Sequence, residues 1–375
     1  VSNPRTGEII KGVVTLGSLR VRQDYLIAEA LLQPYKAGTE VSTEAREWAL
    51  ARMRQLSAHE VGHTLGLGHN YYDSDAGRIS VMDYPHPLVT LKPDGSLDIS
   101  KVYDVGIGAW DKVAITYGYQ DFPAGADEKA ALGAILDAAW QKDIKYMSNQ
   151  DMGANPRVDW WSNGTDAGAE LARMMDVRRA ALSRFGEAAI QKGAPMAMLE
   201  EALVPLYMHH RYQVEAAASV LGGQHYIYAM RGDGRVPTKP ATAAEQKKAF
   251  EALLTTLKPS ELKIPESVLK LIPPRPSGYG VHRELFPRFT GSTFDAITPA
   301  VVAADHTLPF LFDSQRAARM VEQKALDPTL PGFDDLVNDV VKAAFGAQTA
   351  SSYEAEIARS IERVVVDRLM DTVAD

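Results

Sequence analysis

The stretch His59-Glu60-Val61-Gly62-His63-Thr64-Leu65-Gly66-Leu67-Gly68-His69 decides how this chain is read. His59 and His63 stand four residues apart, so on a helix both rings point to the same side. Gly66 can take the left-handed conformation that stops a helix, and the chain can then swing back and return His69 to the same point. Three imidazoles around one point are a ligand set for zinc. Zinc favours four ligands in a tetrahedron, and three protein ligands leave one position for water, the pattern of a catalytic site rather than a closed structural one. Glu60 is displaced along the helix from His59. It is too far aside to bind the same ion easily but within reach of a metal-bound water, for which it is a general base that later passes the proton to a leaving nitrogen. With nine histidines in 375 residues, chance would give the full pattern in on the order of one chain in 10⁴–10⁵.

Upstream, Ser42 or Thr43 can cap a helix with Glu44 and Glu47 near its positive end, and Trp48, Leu50, Met53 and Leu56 continue at helical spacing. No proline interrupts, so one helix is expected from about 44 to about 66. Residues 22–34 read as a shorter helix ended by Pro34. Residues 3–7 read as a turn, and Glu8–Ser18, rich in β-branched residues with Ile10, Val14 and Leu16 on one face, reads as an edge strand. Downstream, 70–100 is loop-like, and Asp104 can cap a helix of roughly 105–117 closed by Gly118. Helical patterns then cover 127–147, 167–185, 196–221, 243–257, 295–304, 314–325, 333–345 and 352–371. Residues 222–240 suit a short hairpin or loop excursion, and the proline-rich stretch 259–287 an extended surface connector. The fold class is therefore α+β and predominantly α-helical. Residues 1–120 are expected to form the zinc-binding part, and 121–375 a mainly helical C-terminal domain.

Composition narrows the partners. The net charge of −8 argues against nucleic acid or an anionic membrane as a main partner, because either needs a basic face. No apolar run approaches the ~18 residues that span a bilayer. The absence of cysteine removes thiolate metal sites and disulfides, so a bound metal must use His, Asp, Glu or Tyr. The chain opens on Val1 with no visible signal peptide, and an upstream portion is expected.

Thirteen residues past His69 lies Met82, within Ser80-Val81-Met82-Asp83-Tyr84. This segment resembles the Met-turn of metzincins, in which a methionine packs beneath the metal, and the His59–His69 pattern resembles the metzincin zinc motif. Asn3-Pro4-Arg5-Thr6-Gly7-Glu8-Ile9, Trp161-Ser162-Asn163-Gly164-Thr165-Asp166, His210-Arg211-Tyr212-Gln213-Val214-Glu215-Ala216 and Arg231-Gly232-Asp233-Gly234 extend the likeness over most of the chain. Together they resemble the bacterial zinc-dependent metalloproteases of the DUF5117 and DUF4953 group. The resemblance implies a metzincin-like catalytic part of active-site helix, edge strand and Met-turn, followed by a large helical domain. It implies Zn²⁺ on His59, His63 and His69, Glu60 as general base, Met82 and Gly66 as structural residues at the site, and a Tyr84 hydroxyl that binds zinc at rest and stabilises the oxyanion. It also implies a peptide or protein substrate, an extracytoplasmic (periplasmic or secreted) location, and an upstream segment of the same precursor completing the sheet. The strand 8–18 would then be the upper rim of a cleft to which an extended peptide adds.

The function so implied is a zinc endopeptidase. The alternatives are a catalytically impaired zinc-containing binding or scaffold protein, a fragment of a larger protease, or a zinc hydrolase of small amides. Other features read more plainly. His209-His210 are packing or surface histidines, and His86 is a loop histidine. Asp73, Asp75 and the Asp94-Gly95-Ser96 turn lack the ligand spacing of an EF-hand and read as solvated turns. Trp160-Trp161 read as a hydrophobic anchor.

Overall fold

The computed structural model describes residues 1–36, 38–161 and 163–374. Ser162 of the Trp161–Asp166 stretch lies outside them. In order the elements are α1 (Ser18–Leu32), α2 (Thr43–Thr64), the hairpin β1 (Thr90–Leu91) and β2 (Leu97–Asp98), α3 (Ala109–Tyr119), α4 (Glu128–Trp140), α5 (Ala167–Leu182), α6 (Leu199–Tyr207) and α7 (Arg211–Ser219). A second hairpin, β3 (Gln224–Tyr226) and β4 (Thr238–Pro240), precedes α8 (Ala243–Thr255), the one-turn helices α9 (Pro259–Leu262) and α10 (Glu266–Leu269), α11 (Thr298–Leu311), α12 (Ser314–Leu326), α13 (Phe333–Phe345) and α14 (Ser352–Ala374). Both ribbons are antiparallel and two-stranded. The chain is thus α+β and predominantly helical, as the sequence implies.

α2 carries the site, and its ends are defined chemically. Ser42 accepts a hydrogen bond from the Ala45 backbone, and Glu44 lies in the first turn. At the other end Gly66 takes φ +88, the Gly66 N–H reaches His63 O at 3.1 Å and the Leu67 N–H reaches Gly62 O at 3.1 Å. This is a Schellman closure, and it turns the chain back as the glycine predicts. The buried stripe of α2 is Ala45, Trp48, Arg52, Gln55, Leu56, His59 and Gly62. Leu50, grouped with Trp48, Met53 and Leu56 at helical spacing, faces out at 42% exposure.

The expected edge strand at 8–18 does not form. Ser2 and Ile9 make an isolated antiparallel bridge around the 3–7 turn, with Gly7 at φ +76, and residues 10–17 carry no ladder. A strand exists only by pairing; Ile10 and Lys11 bond Val1, and residues 12–17 show no backbone pairing among the described residues. The segment instead crosses the end of α2. A Cβ on Gly12 would stand 2.5 Å from Thr64 Cβ, and one on Gly66 would stand 3.3 Å from Ile9 Cδ1.

α3 starts at Ala109, not 105, and Asp104 does not cap it. Asp111 does, its carboxylate accepting from the Gly108 N–H at 2.6 Å. Gly108 passes so close to Ile79 that a Cβ there would lie 1.9 Å from the Ile79 carbonyl oxygen. The single helix expected over 196–221 breaks at His209-His210 into α6 and α7, with the donor-less Pro205 inside the last turn of α6. The proline-rich 259–287 stretch holds α9 and α10 and buries Leu262, Val268 and, between the two helices, Ile264, so it is more than an extended connector. One continuous apolar cluster runs from Ile27, Leu31 and Trp48 of α1 and α2, through Leu171, Leu203 and Leu206, to Ile357 and Val365 of α14. Its burial is the main stabilising term holding α2 rigid.

Candidate metal centre

His59 is buried at the inner end of α2, His63 lies one turn on, and His69 returns on the loop after Gly66. Each contributes a ring nitrogen, and the three nitrogens lie within 4.8 Å of one another. Ring centroids stand 4.7 Å apart for His59–His63, 4.8 Å for His63–His69 and 5.2 Å for His59–His69. Two rings are oriented by backbone carbonyls: His59 Nδ1 lies 2.7 Å from Val81 O, and His63 Nδ1 lies 2.9 Å from Leu67 O. An Nδ1–H donated to a carbonyl leaves the Nε2 lone pair for a metal. His63 Nε2 and His69 Nε2 stand 3.1 Å apart. Nitrogens bound tetrahedrally at a typical Zn–N distance would stand about 3.3 Å apart, so the donor set fits zinc.

Burial pushes His59 down to about 4, with the neighbouring His63 and His69 rings adding to the shift and the Val81 carbonyl opposing it. Burial also lowers His69, and the charge of Glu60 pulls the other way, which places Glu60 within electrostatic reach of the cluster. Neutral imidazoles are the ligating form.

Below the rings the turn Ser80–Tyr84 is held by a buried carboxylate. Asp111 accepts from Ser80 Oγ at 2.7 Å and from the Val81 N–H at 2.9 Å, as well as from Gly108. Ser80 Oγ accepts in turn from the Met82 N–H at 2.8 Å, and the Met82 carbonyl accepts from the Asn70 N–H at 2.9 Å. Gln55 Nε2 donates to Val81 O at 3.1 Å, the same oxygen that orients His59. Arg52 hydrogen-bonds Gln55 and faces Asp24 at 3.6 Å. Met82 is fully buried, and a Cβ on Gly62 would meet its sulfur at 2.3 Å. A side chain at 62 would therefore displace the methionine. Tyr84 hydroxyl lies 2.9 Å from His69 Nε2, and its ring stacks on His59 at 5.3 Å between centroids.

All seven residues singled out at the motif and turn, His59, Glu60, His63, Gly66, His69, Met82 and Tyr84, thus fall in one neighbourhood. Gln55, Asn70 and Asp111 were missed. The spacing of Gln55, four residues before His59 on the same helix face, was the available signal for the first. The other residues sort as follows. His86, His209 and His210 are packing histidines, all buried, with the His86 and His209 rings 4.9 Å apart. Trp161 stacks on Tyr212 at 4.1 Å and approaches Tyr84 at 6.4 Å, so it anchors α7 to the turn. Asp75 and Asp94 are exposed as expected, but Asp73 is not a solvated turn residue: it is 95% buried, its relative exposure being 5%.

A family model described as Met-zincin (DUF4953) matches residues 42–351. No curated protein and no solved structure matches.

Proposed function

The chain belongs to the Met-zincin family, and we propose that it is a zinc-dependent endopeptidase with His59, His63 and His69 as metal ligands. Family membership and the histidine cluster together support a zinc metalloprotease in general. The observation that carries the finer reading is the facing pair of His63 and His69 Nε2 atoms at 3.1 Å, with the Tyr84 hydroxyl 2.9 Å from the latter. Zinc, when bound, supplies a Lewis acid that makes water nucleophilic near neutral pH and draws electron density from a carbonyl. Glu60 takes the proton of the attacking water on a carboxylate oxygen and delivers it to the leaving amide nitrogen. The Tyr84 hydroxyl donates to the oxyanion that develops on the substrate carbonyl. Val81 O and Leu67 O hold the His59 and His63 rings in place through Nδ1 while this happens. The segment over the end of α2, around Ile9 and Gly12, borders the site and offers backbone along which an extended peptide can align. We assign the catalytic role to residues 1–120 and the supporting helical body to 121–375, and place the protein outside the cytoplasm.

The test is Glu60→Ala in zinc-loaded protein. Peptide hydrolysis should fall by roughly 10²–10⁴-fold while zinc stays at one equivalent. Unchanged hydrolysis, or wild-type protein that retains less than about a tenth of an equivalent of zinc, overturns the proposal. The lack of backbone pairing along residues 12–17 among the described residues favours a second reading, a protein that holds peptides without cutting them. It would bind peptide with no hydrolysis in either form.

A further inference from the structure

The chain just past His69 is held by a segment from the far side of α4. The Tyr71 N–H donates to Met147 O at 2.9 Å, the Met147 N–H to Asn70 Oδ1 at 3.1 Å, and Asn70 Nδ2 to Lys145 O at 2.9 Å. Residues 145–147 therefore run beside the third histidine. They continue into the single turn Asn149–Asp151, whose buried Asp151 carboxylate accepts from the Ser148 N–H at 2.8 Å. The same carboxylate accepts from the hydroxyls of Tyr226 at 2.9 Å and Tyr228 at 2.6 Å, so the β3–β4 excursion also fixes the turn. The exposed Asn149 side chain lies within hydrogen-bonding reach of the His69 ring and of the Tyr71 hydroxyl. The segment 145–151 is thus a rigid rail along one edge of the metal centre.

Met147 is buried and uses both main-chain groups in this pairing; Tyr146 uses neither. Among the described residues the Tyr146 N–H and C=O make no hydrogen bond. Its ring is 47% exposed and stacks on the half-buried Trp110, with centroids 5.4 Å apart and planes at 15°. Its hydroxyl would stand 3.2 Å from a Cβ on Gly68, the residue before His69. Trp110 is pinned in turn by its own N–H, which donates to Ile79 O at 2.8 Å just ahead of the Ser80–Tyr84 turn. Among the described residues neither ring belongs to a buried apolar cluster of the fold. The stack is therefore not core packing. It presents flat apolar surface to water beside a metal-binding loop, and that surface gains free energy when an apolar group covers it.

We propose that the Trp110–Tyr146 stack is a specificity subsite, which receives a large aromatic or aliphatic side chain of the peptide held at the metal centre. The open Tyr146 N–H and C=O align that peptide's backbone, as an unpaired edge does. The cation next to Tyr146 on the rail, Lys145, is engaged by Asp143 at 2.6 Å, so the wall selects by apolar area and shape rather than by charge. The inference rests on the peptidase reading and names its substrate class. It also brings residues beyond 120 into the site, since Tyr146 and the turn that holds the rail belong to the helical part of the chain.

The test uses the full zinc-loaded chain carrying Glu60→Ala, so that peptides bind without being cut. Two blocked Gly-Ser peptides, one with a central Phe and one with a central Ala, are titrated calorimetrically. The Phe peptide should bind at least about tenfold more tightly. Adding Tyr146→Ala should shrink that ratio to less than about threefold, whereas Tyr146→Phe, which keeps the stack, should preserve it. Tyr279→Ala, at an exposed tyrosine of the proline-rich stretch, should preserve it as well. The chain with Glu60 intact should show the same Phe preference in kcat/KM, carried by KM. Equal affinity for the two peptides overturns the proposal without recourse to any Tyr146 variant. So does an undiminished ratio in Tyr146→Ala, or an equal loss in Tyr279→Ala. Hydrolysis without Phe preference overturns this inference and leaves the peptidase reading standing. A Tyr146-dependent Phe preference in a chain that cuts neither peptide supports the subsite and overturns the peptidase reading alone.

Discussion

Two groups of three histidines lie in this molecule, and they behave as opposites. In the first, His59, His63 and His69, two Nδ1 atoms meet backbone carbonyls and the ring nitrogens face one another. In the second, His86, His209 and His210 are at most 1% exposed, and none of their six ring nitrogens has a hydrogen-bond partner among the described residues. The surroundings differ in degree as well. Arg78, Arg173, Arg178 and Arg211 bear on the second group and disfavour any added positive charge, whereas Arg52 is the one arginine that weighs on His59. Ring proximity is similar in both, at 4.7–5.2 Å and 4.9 Å between centroids. What sets the candidate metal site apart is that its ring nitrogens face one another and two of its Nδ1 atoms meet backbone carbonyls, not the gathering of imidazoles.

The comparison breaks most visibly on ligand removal. His63→Ala should leave less than about a tenth of an equivalent of zinc after dialysis and abolish hydrolysis, whereas His209→Leu should keep one equivalent. Equal zinc loss in both variants would erase the distinction. Next in size is Asp111→Ala, which takes the acceptor from three donors beneath His59. We expect about 3 kcal/mol lost in denaturant unfolding and a 10–100-fold weaker zinc affinity against a competing chelator. A stability loss with zinc affinity unchanged would mean that the turn does not orient the ring.

Gly62→Ala drives a Cβ into the Met82 sulfur and should cost about 1–3 kcal/mol. The cost should shrink when Met82→Ala is added, as a double-mutant cycle reads. The smallest effect concerns pH. Burial pushes His209 down to about 3, below its ordinary value of about 6.5. The unfolded chain therefore takes up a proton that the folded chain refuses, and stability falls as pH drops from about 6.5 toward about 3, by up to about 1.4 kcal/mol per unit for this ring. Urea unfolding at a series of pH values should show a shallower acid slope in His209→Leu. An unchanged slope would show that the ring is not held neutral.

The site was legible where its geometry is local. His59 and His63 stand four apart on one helix and a left-handed glycine closes that helix, so spacing groups the histidines, while Met82 is placed with them by its resemblance to a Met-turn. Its supports were not, because they are polar residues on a buried face. The burial of Arg52 and Gln55 depends on partners, Asp24 and Val81, supplied by other segments. The strand at 8–18 failed for a related reason. Alternation of β-branched residues describes a surface that suits a sheet, but pairing is a property of two segments, and among the described residues only Val1 and Ser2 meet this one. The long 196–221 pattern hid a break because His209 and His210 have ordinary helical neighbours, and only the packing of α6 and α7 shows where the axis turns.

The Asp111 clamp has a consequence for the order in which the molecule is built. Before α3 arrives, Ser80, Val81 and Gly108 have no common acceptor, and Val81 O has no fixed position from which to hold His59. The helix α2 can exist at that stage, and so can the Schellman return to His69, but one ring of the three still rotates. On the proposed ligand set, metal capture at full strength requires the docking of α3, a helix that contributes no ligand. A chain interrupted before residue 109 would carry the whole histidine motif and still be a poor chelator.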